Sequence, residues 1–573
     1  MANNPDHLDL EKRVAEVAKT FGKPHQTESL DDFRYARTSN MSDQYSAKRR
    51  TIGEIALLML VFFIYAGDMA PMVNEAHYLV KAKNFWDASW CQNDLFAASG
   101  KAHTTFYVLL GWPTKFFSLA ATAWIGRIVG WLLLAIGLQR LSASLISQSY
   151  ACVGVALLWI AGIEYGNLAG EWVVGGVEAK VPAYGFVLMA AAEIVRRHWN
   201  RVWVLLGTAS AFHVLTGGWS VVAATVAWFA TEAKRDDRHA LITRWLFVGG
   251  AIALFGLVPA LWLTMGADPQ ASASAARIYS YFRIRHHLLP ADFHPVWYFR
   301  HTLLLLATFW LHFQWLRGKE STAGARSFGW FAFGSIGIAS VGLLVGLLPT
   351  FAPDLAAKLL RYYWFRLSDA VVPLLLAITA MQFICRQNPL SEDEPFSPQR
   401  VSAGLLGASV LAFLFSAFTT WELGVPPSAS HRLLGYQVDA SVAQQRAAFD
   451  DWRSVCQWAK HATPKDELFL TPRHQQTFKW YAHRAEVVNW KDVPQDANTL
   501  NEWQARFTEI FPRRLRKNRT TIKYSSLRNY RKKYGVRFMI VDRRITGQNL
   551  PLVRVYPIQD DQNKTYAVYE LPY

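Results

Sequence analysis

The sequence predicts a polytopic α-helical membrane protein with about eleven transmembrane helices and a C-terminal extracytoplasmic α/β domain. Three observations predict it. Apolar residues make up 52% of the 573, with 24 Trp and 35 Phe, and they gather into runs of about 20 residues instead of spreading as in a large soluble core. Charges are sparse inside the runs and dense between them, with Lys and Arg concentrated in alternate loops. From about residue 439 the texture turns polar, with short strand-like and helix-like pieces in alternation. A net charge of +17 would suggest nucleic acid in a soluble chain, but here loop Lys and Arg set topology and no nucleic-acid partner is expected.

Residues 1–50 read as a cytoplasmic tail with short helical potential at 8–18, too long and too mixed in charge for the n-region of a signal peptide. It ends in Ala47-Lys48-Arg49-Arg50, which abuts a first span at 52–66 and places the N-terminus inside. The loop that follows, 68–94, is then outside, and an amphipathic or re-entrant piece begins at His103. Further spans are expected near 119–138, 151–163, 183–194, 202–216, 219–230, 241–264, 303–313, 328–348, 371–384 and 401–418, the shorter ones needing flanking residues to cross. Arg140, Arg196 with Arg197, Lys234 with Arg235, and Arg317 lie in the inner loops. The odd number of crossings leaves the C-terminal part outside. The expected organisation is a tail at 1–50, a transmembrane domain at 51–422 with interfacial helices in its first outer loop, and an extracytoplasmic domain at 423–573. In that last domain 467–471, 485–489, 536–541 and 566–570 read as strands, and 475–482 and 500–515 as helices. The four cysteines show no CxxC spacing; Cys91 and Cys456 are the two expected outside, and a disulfide between them is one possibility. Neither a Walker nor a GxGxxG fingerprint occurs, which argues against cytosolic nucleotide chemistry.

Ionisable groups beside apolar spans need a reason to be there, because hydrocarbon penalises them. Four clusters fall in the expected outer loops. In the first, Asn74 can cap a helix over 75–87, with Pro71 as a break just upstream. Tyr78, Leu79, Ala82, Phe85 and Trp86 then form an apolar stripe, and His77, Lys81, Asn84 and Asp87 lie mostly off it, as in a helix lying flat in a membrane interface. Glu75 shares the stripe's side. A carboxylate held away from bulk water is a better proton acceptor, so Glu75 is a candidate general base, with Asp68 as its alternative. The plainer reading of Glu75 is an acid at a helix N-terminus, favoured by the dipole. The second cluster is Glu171, Glu178 and Lys180 around Gly175-Gly176, either a turn that lets a ligand approach the backbone or an ordinary turn. The third is Arg283, His286 and His287, spaced to share one helical face and suited to phosphate oxygens or to a snorkelling belt; neighbouring imidazoles point to different sides, so no metal is expected. The fourth is Arg361, Arg366 and Asp369, where an Arg366–Asp369 pair would leave Arg361 for an anionic head-group. His213 falls at an outer end and reads as a packed residue.

Asn74-Glu75-Ala-His77-Tyr78-Leu79 in the first outer loop, and His103-Thr-Thr-Phe-Tyr107 after it, resemble the C-type (GT-C-like) polytopic membrane glycosyltransferases. That superfamily often has His-Pro-Pro at the second position, and the Pro-Pro is missing here. Within it the chain looks most like an uncharacterised bacterial family, through GGVEAK at 175–180, RIRHHL at 283–288, FRLSD at 365–369 and PRHQQTFKWYAHRAEVVNWKDVPQ at 472–495. The resemblance implies a bacterial cytoplasmic membrane, a polyprenyl-phosphate sugar donor, an unknown envelope glycan, lipid or protein acceptor, and no cofactor. Charge placement then suggests roles. Glu75 or Asp68 takes the acceptor proton and inversion follows; Arg283, His286, His287, Arg361 and Arg366 hold the donor phosphate; His77, Lys81, His103, Glu178 and Lys180 order sugar and acceptor. The rivals are a lipid or anion transporter, which would predict inverted repeats, and a non-catalytic membrane protein of the same fold.

Overall fold

In a computed structural model the described residues are 30–72, 74–319, 321–386, 397–423, 441–511, 523–547 and 549–573. The segment 8–18, the basic run 513–519 and most of the 386–400 link lie outside them. The chain divides into two units, 1–54 and 55–573. Of the first, the helix Leu30–Ala66 is described from its start, so the end of the expected tail is already helical.

Each expected span falls on a helix, because each is an apolar run with few breakers. Among the described residues six helices are long and apolar enough to cross a membrane: Leu119–Leu145, Val214–Thr231, Arg244–Trp262, the helical stretch Ala323–Thr350, Arg366–Ile384 and Pro398–Glu422. The protein is a multi-pass membrane protein. Lys180–Val195 and Trp199–Phe212 are shorter, 16 and 14 residues. At 1.5 Å per residue they reach about 24 and 21 Å, less than a hydrocarbon core of about 30 Å. Pro295–Arg317, by contrast, extends the short 303–313 run at both ends.

Lys180–Val195 runs from one charged end of the bundle to the other. At its far end Glu193 holds Arg140 at 2.5 Å, the His198 ring at 2.7 Å and Arg196 at 3.4 Å. Basic residues from loops expected on one side are therefore gathered at one end. At the near end lie 67–118, 167–180, 265–294 and 349–366, the loops in which the sequence clusters sit.

The C-terminal region holds a five-stranded sheet in the order β2-β1-β3-β5-β4, from Leu468–Leu470 (β1), Ala485–Glu486 (β2), Phe538–Asp542 (β3), Arg554–Tyr556 (β4) and Tyr566–Glu570 (β5). β1 pairs parallel with β2 and β3, and β5 antiparallel with β3 and β4. Side chains alternate across it. Phe469, Phe538, Ile540, Tyr566 and Val568 pack under the helix Val442–Ala462. Leu470, Met539, Val541 and Tyr569 pack with Trp503 and Phe507 of the helix Ala497–Ile510, joined by Ala275 and Ile278 from the long 265–294 loop. That shared core seats the sheet against the loops at the near end. Cys91 and Cys456 are both free and buried, so the disulfide considered above does not form.

Candidate functional site

The first-loop helix runs Glu75–Trp86, one residue shorter than expected, and Asn74 starts it without a side-chain cap. Both sides of it are covered. Leu79 and Ala82 are buried as the stripe predicts, but so are Lys81 and Asn84 from the face expected to meet water. Glu75 has no exposed surface, and each of its oxygens accepts two N–H groups. Oε1 takes Arg127 Nε at 2.6 Å and the Val177 amide at 2.9 Å; Oε2 takes Arg127 Nη2 at 2.6 Å and the Met72 amide at 2.8 Å. Arg127 lies within the apolar helix Leu119–Leu145, is equally buried, and gives its remaining Nη1 to the Asp68 carbonyl at 2.5 Å. Gly176 allows this approach, since a Cβ there would sit 2.8 Å from Glu75 Cγ. The Gly175 carbonyl meanwhile accepts the Trp131 indole at 2.8 Å. The two glycines thus admit protein side chains. Asp68 has a half-buried carboxyl that burial raises above its ordinary range, with no hydrogen-bond partner among the described residues.

The second loop meets the 361–366 corner. Glu171 bridges two cations, Lys180 Nζ at 3.1 Å and Arg366 Nε at 2.9 Å. Arg366 also lies 3.0 Å from His213 Nε2 through Nη1, stacks over the Tyr363 ring, and its carbonyl accepts the Tyr184 hydroxyl at 3.0 Å. The expected Arg366–Asp369 pair does not form. Asp369 instead accepts the amides of Leu168 and Ala169 at 2.9 and 2.8 Å, which fixes the second loop. His213 stacks on His103 with ring centres 5.5 Å apart, and His103 Nε2 lies 3.4 Å from the Gln495 side chain. Burial pushes His103 down to about 3, so it is a neutral ring. Glu178 sits beside Lys180 at 3.8 Å, and its Oε1 is buried with no hydrogen-bond partner among the described residues. Burial raises its carboxyl; Lys180 and Asn74 offset this in part.

Arg283, His286 and His287 do not share a helix face. A π-helical turn, Ile278–Arg283, ends at Ile284 and a new turn starts at Arg285. Arg283 is buried, donates Nε to the Trp490 carbonyl at 2.8 Å and lies over the Trp490 ring. Burial lowers it to about 10, so it stays charged at neutral pH. His287 is turned back onto the Ala169 carbonyl at 2.5 Å, beside Gly170, whose positive φ of 74° suits glycine. His286 is exposed. Arg361 lies over Tyr279, and the Tyr279 and Tyr363 hydroxyls bond each other at 2.8 Å.

Behind this cluster the 472–496 segment is bolted to the first loop. Lys479 is buried among Asp94 at 3.1 Å, Glu486 at 2.6 Å and Asp492 at 2.6 Å. Asp94 also accepts the Glu486 amide at 3.1 Å, and the His77 ring sits 3.5 Å from Asp492. Burial raises Asp492, but Lys479 and His77 hold it below the usual carboxylate range. Lys81 lies close by, bonded to Ser99 Oγ at 2.7 Å and the Gly100 carbonyl at 2.6 Å, and burial, then Lys101, lowers it to about 7.

Ion pairs therefore join Glu178, Lys180, Glu171 and Arg366, Arg283 faces Tyr279 and Tyr363 beside them, and Glu75 lies against Gly176 of the same loop. His77 and Lys81 belong to the seam with the C-terminal region. Sequence reasoning missed Arg127, Lys479 and Lys491. For Arg127 the signal was present: a guanidinium inside an apolar run demands a buried partner. Among the described residues no three His, Cys, Asp or Glu side chains are grouped to hold a metal ion. An excess of buried cations beside carboxylates can bind a phosphate and move a proton next to it.

A family model described as a domain of unknown function, DUF6798, matches residues 450–510, the stretch that carries Lys479, Lys491 and Asp492. No curated protein matches the sequence. Among solved structures, ArnT from Cupriavidus metallidurans, crystallised bound to undecaprenyl phosphate, is similar to 91% of this chain and 98% of its own at 14% identity, with a TM-score of 0.46.

Proposed function

We infer that the protein is a membrane glycosyltransferase that moves a sugar, with inversion, from a polyprenyl-phosphate donor to an acceptor hydroxyl on the outer face of a bacterial cytoplasmic membrane. One observation supports the reading: Lys180 pairs with Glu171 and Glu178, Glu171 pairs with Arg366, and the buried Arg283 faces Tyr363, on which Arg366 stacks, at the end of a membrane bundle. The guanidinium groups hold the phosphate that leaves. Glu75 is spent on four N–H donors and serves to fix the first loop.

The base is then Glu178, whose Oε1 is buried, without a hydrogen-bond partner among the described residues, and whose carboxylate lies beside Lys180. The acceptor O–H bond breaks and its proton passes to Glu178. The acceptor oxygen bonds to the anomeric carbon from one face, and the carbon–oxygen bond to phosphate breaks on the other, its electron pair leaving with the phosphate. Asp68, whose carboxyl has no hydrogen-bond partner among the described residues and whose carbonyl holds Arg127, is the comparison carboxylate. Photolabelling with a polyprenyl-phosphate sugar tests the assignment. Labelled peptides from 167–180, 277–288 or 361–366 are expected; labelling confined to other segments, or none, would overturn it.

A further inference from the structure

We propose that Lys491, from the C-terminal segment, is a positioning residue for the departing phosphate, so that docking of that segment completes the cleft. The proposal rests on the donor reading above. Its starting point is a contrast between two lysines twelve residues apart. Lys479 is surrounded by three carboxylates. The Lys491 amine has no hydrogen bond or ion pair among the described residues, although it lies partly buried.

Its backbone is nonetheless clamped. Asn489 Oδ1 accepts the amides of both Lys491 and Asp492, at 2.8 and 2.9 Å, and the Lys491 carbonyl accepts the Val493 amide at 3.0 Å. One residue earlier, the Trp490 carbonyl holds Arg283. The segment thus presents Lys491 and Arg283 together. The groups that face Lys491 electrostatically are Arg283 and Lys180, which repel it, and Glu178 and Asp492, which attract it. Of the two acids, Asp492 is engaged by Lys479.

Charge balance says what the amine is for. Lys180 and Arg366 face Glu171 and Glu178, and Lys491 and Arg283 stand beside them, an excess of two positive charges in a largely buried place. The donor is a phosphodiester with one negative charge. Once the bond to sugar breaks, the departing lipid phosphate carries a second. In the same step Glu178 takes up the acceptor proton, so negative charge moves from Glu178 to the phosphate, and a cation on the phosphate is worth more in the transition state than with substrate bound, which is how binding energy speeds a reaction.

Burial, then Arg283, lowers the free amine to about 8, which makes its contribution readable by pH. It is charged below that value and neutral above it, so phosphate affinity falls as pH rises through it. The ligand does not confound this, since its second ionisation lies near 6.

The test is equilibrium binding of undecaprenyl phosphate to the full-length protein in nanodiscs between pH 7 and 9.5, with inorganic phosphate in a parallel series to separate lipid from free anion. Wild type is expected to bind and to weaken through about pH 8. Lys491→Met should bind about 10- to 100-fold more weakly at pH 7, the loss of one hydrogen bond to a charged group. Lys491→Arg should bind near normally with a flat pH profile, which also shows that the fold survives substitution. Lys491→Met binding within twofold of wild type, with the pH dependence intact, would overturn the role of Lys491 alone. Absence of lipid binding by wild type, or inorganic phosphate binding equally tightly, would overturn the donor assignment as well.

Discussion

Replacing Glu75 by Gln separates a wall residue from a catalyst. The change keeps the shape and removes the charge. In the native protein each carboxylate oxygen accepts two N–H donors, one from Arg127 and one from a backbone amide. A Gln side chain offers one acceptor oxygen, and its NH2 end would face two N–H groups in either flip. Arg127 would be left buried with no counter-charge, holding only the Gln oxygen and the Asp68 carbonyl as acceptors. Breaking a buried pair from one side costs about 3–5 kcal/mol. A denaturant titration in mixed micelles should show that loss in Glu75→Gln, and a similar one in Arg127→Met. The double replacement Glu75→Met with Arg127→Met should cost less than the sum, because no orphaned charge remains. A Glu75→Gln protein as stable as wild type but unable to transfer sugar would refute the reasoning and return Glu75 to the role of base.

Further outcomes follow from the same geometry. Glu178→Gln should lower kcat by about 10²–10⁴ with little change in unfolding midpoint, measured by single-turnover transfer. Because the folded Glu178 carboxyl is raised and works deprotonated, wild-type kcat/KM should fall as pH falls through that raised value, and Glu178→Gln should lose this limb. Asp68→Asn under the same assay should keep most activity; a larger loss there than in Glu178→Gln would move the base to Asp68. Lys479→Met leaves Asp94, Glu486 and Asp492 buried together, so a loss of about 3–5 kcal/mol and new protease cleavage within 472–496 are expected. Alkylation of the folded protein should spare Cys91 and Cys456, and mass mapping after unfolding without reductant should find both thiols free.

Much of the architecture was legible because it is periodic. Apolar runs marked the bundle helices, and alternation marked β5 at Tyr566–Glu570 to the residue. The helix Val442–Ala462 was missed even though Ser441 and Gln444 form a capping box at its start. Arg531, Lys532 and Lys533 fall in the last turn of the helix Tyr524–Tyr534, where Lys533 is bonded to Glu509 on a neighbouring helix. For the cleft, polarity beside apolar runs singled out Glu75, Lys81, Glu178, Lys180, Arg283 and Arg366, most of which the fold buries. Their partners were not legible. Glu75 meets an arginine 52 positions away and Arg366 meets Glu171 across two loops, and no local spacing encodes such pairings. The helical face drawn through Arg283, His286 and His287 failed because the backbone turns at Ile284.

The Arg127–Glu75 pair also bears on how the chain is made. A guanidinium a third of the way along Leu119–Leu145 opposes partition of that segment into lipid by up to about 2.5–3.5 kcal/mol, the helix-centre value on insertion scales. Its counter-charge leaves the ribosome first, so a partner is already waiting at the translocon when the arginine emerges. Membrane integration of the nascent segment should therefore depend on an acid synthesised earlier, and an in vitro translation series with and without Glu75 would read that dependence as the fraction of chains retained in microsomes.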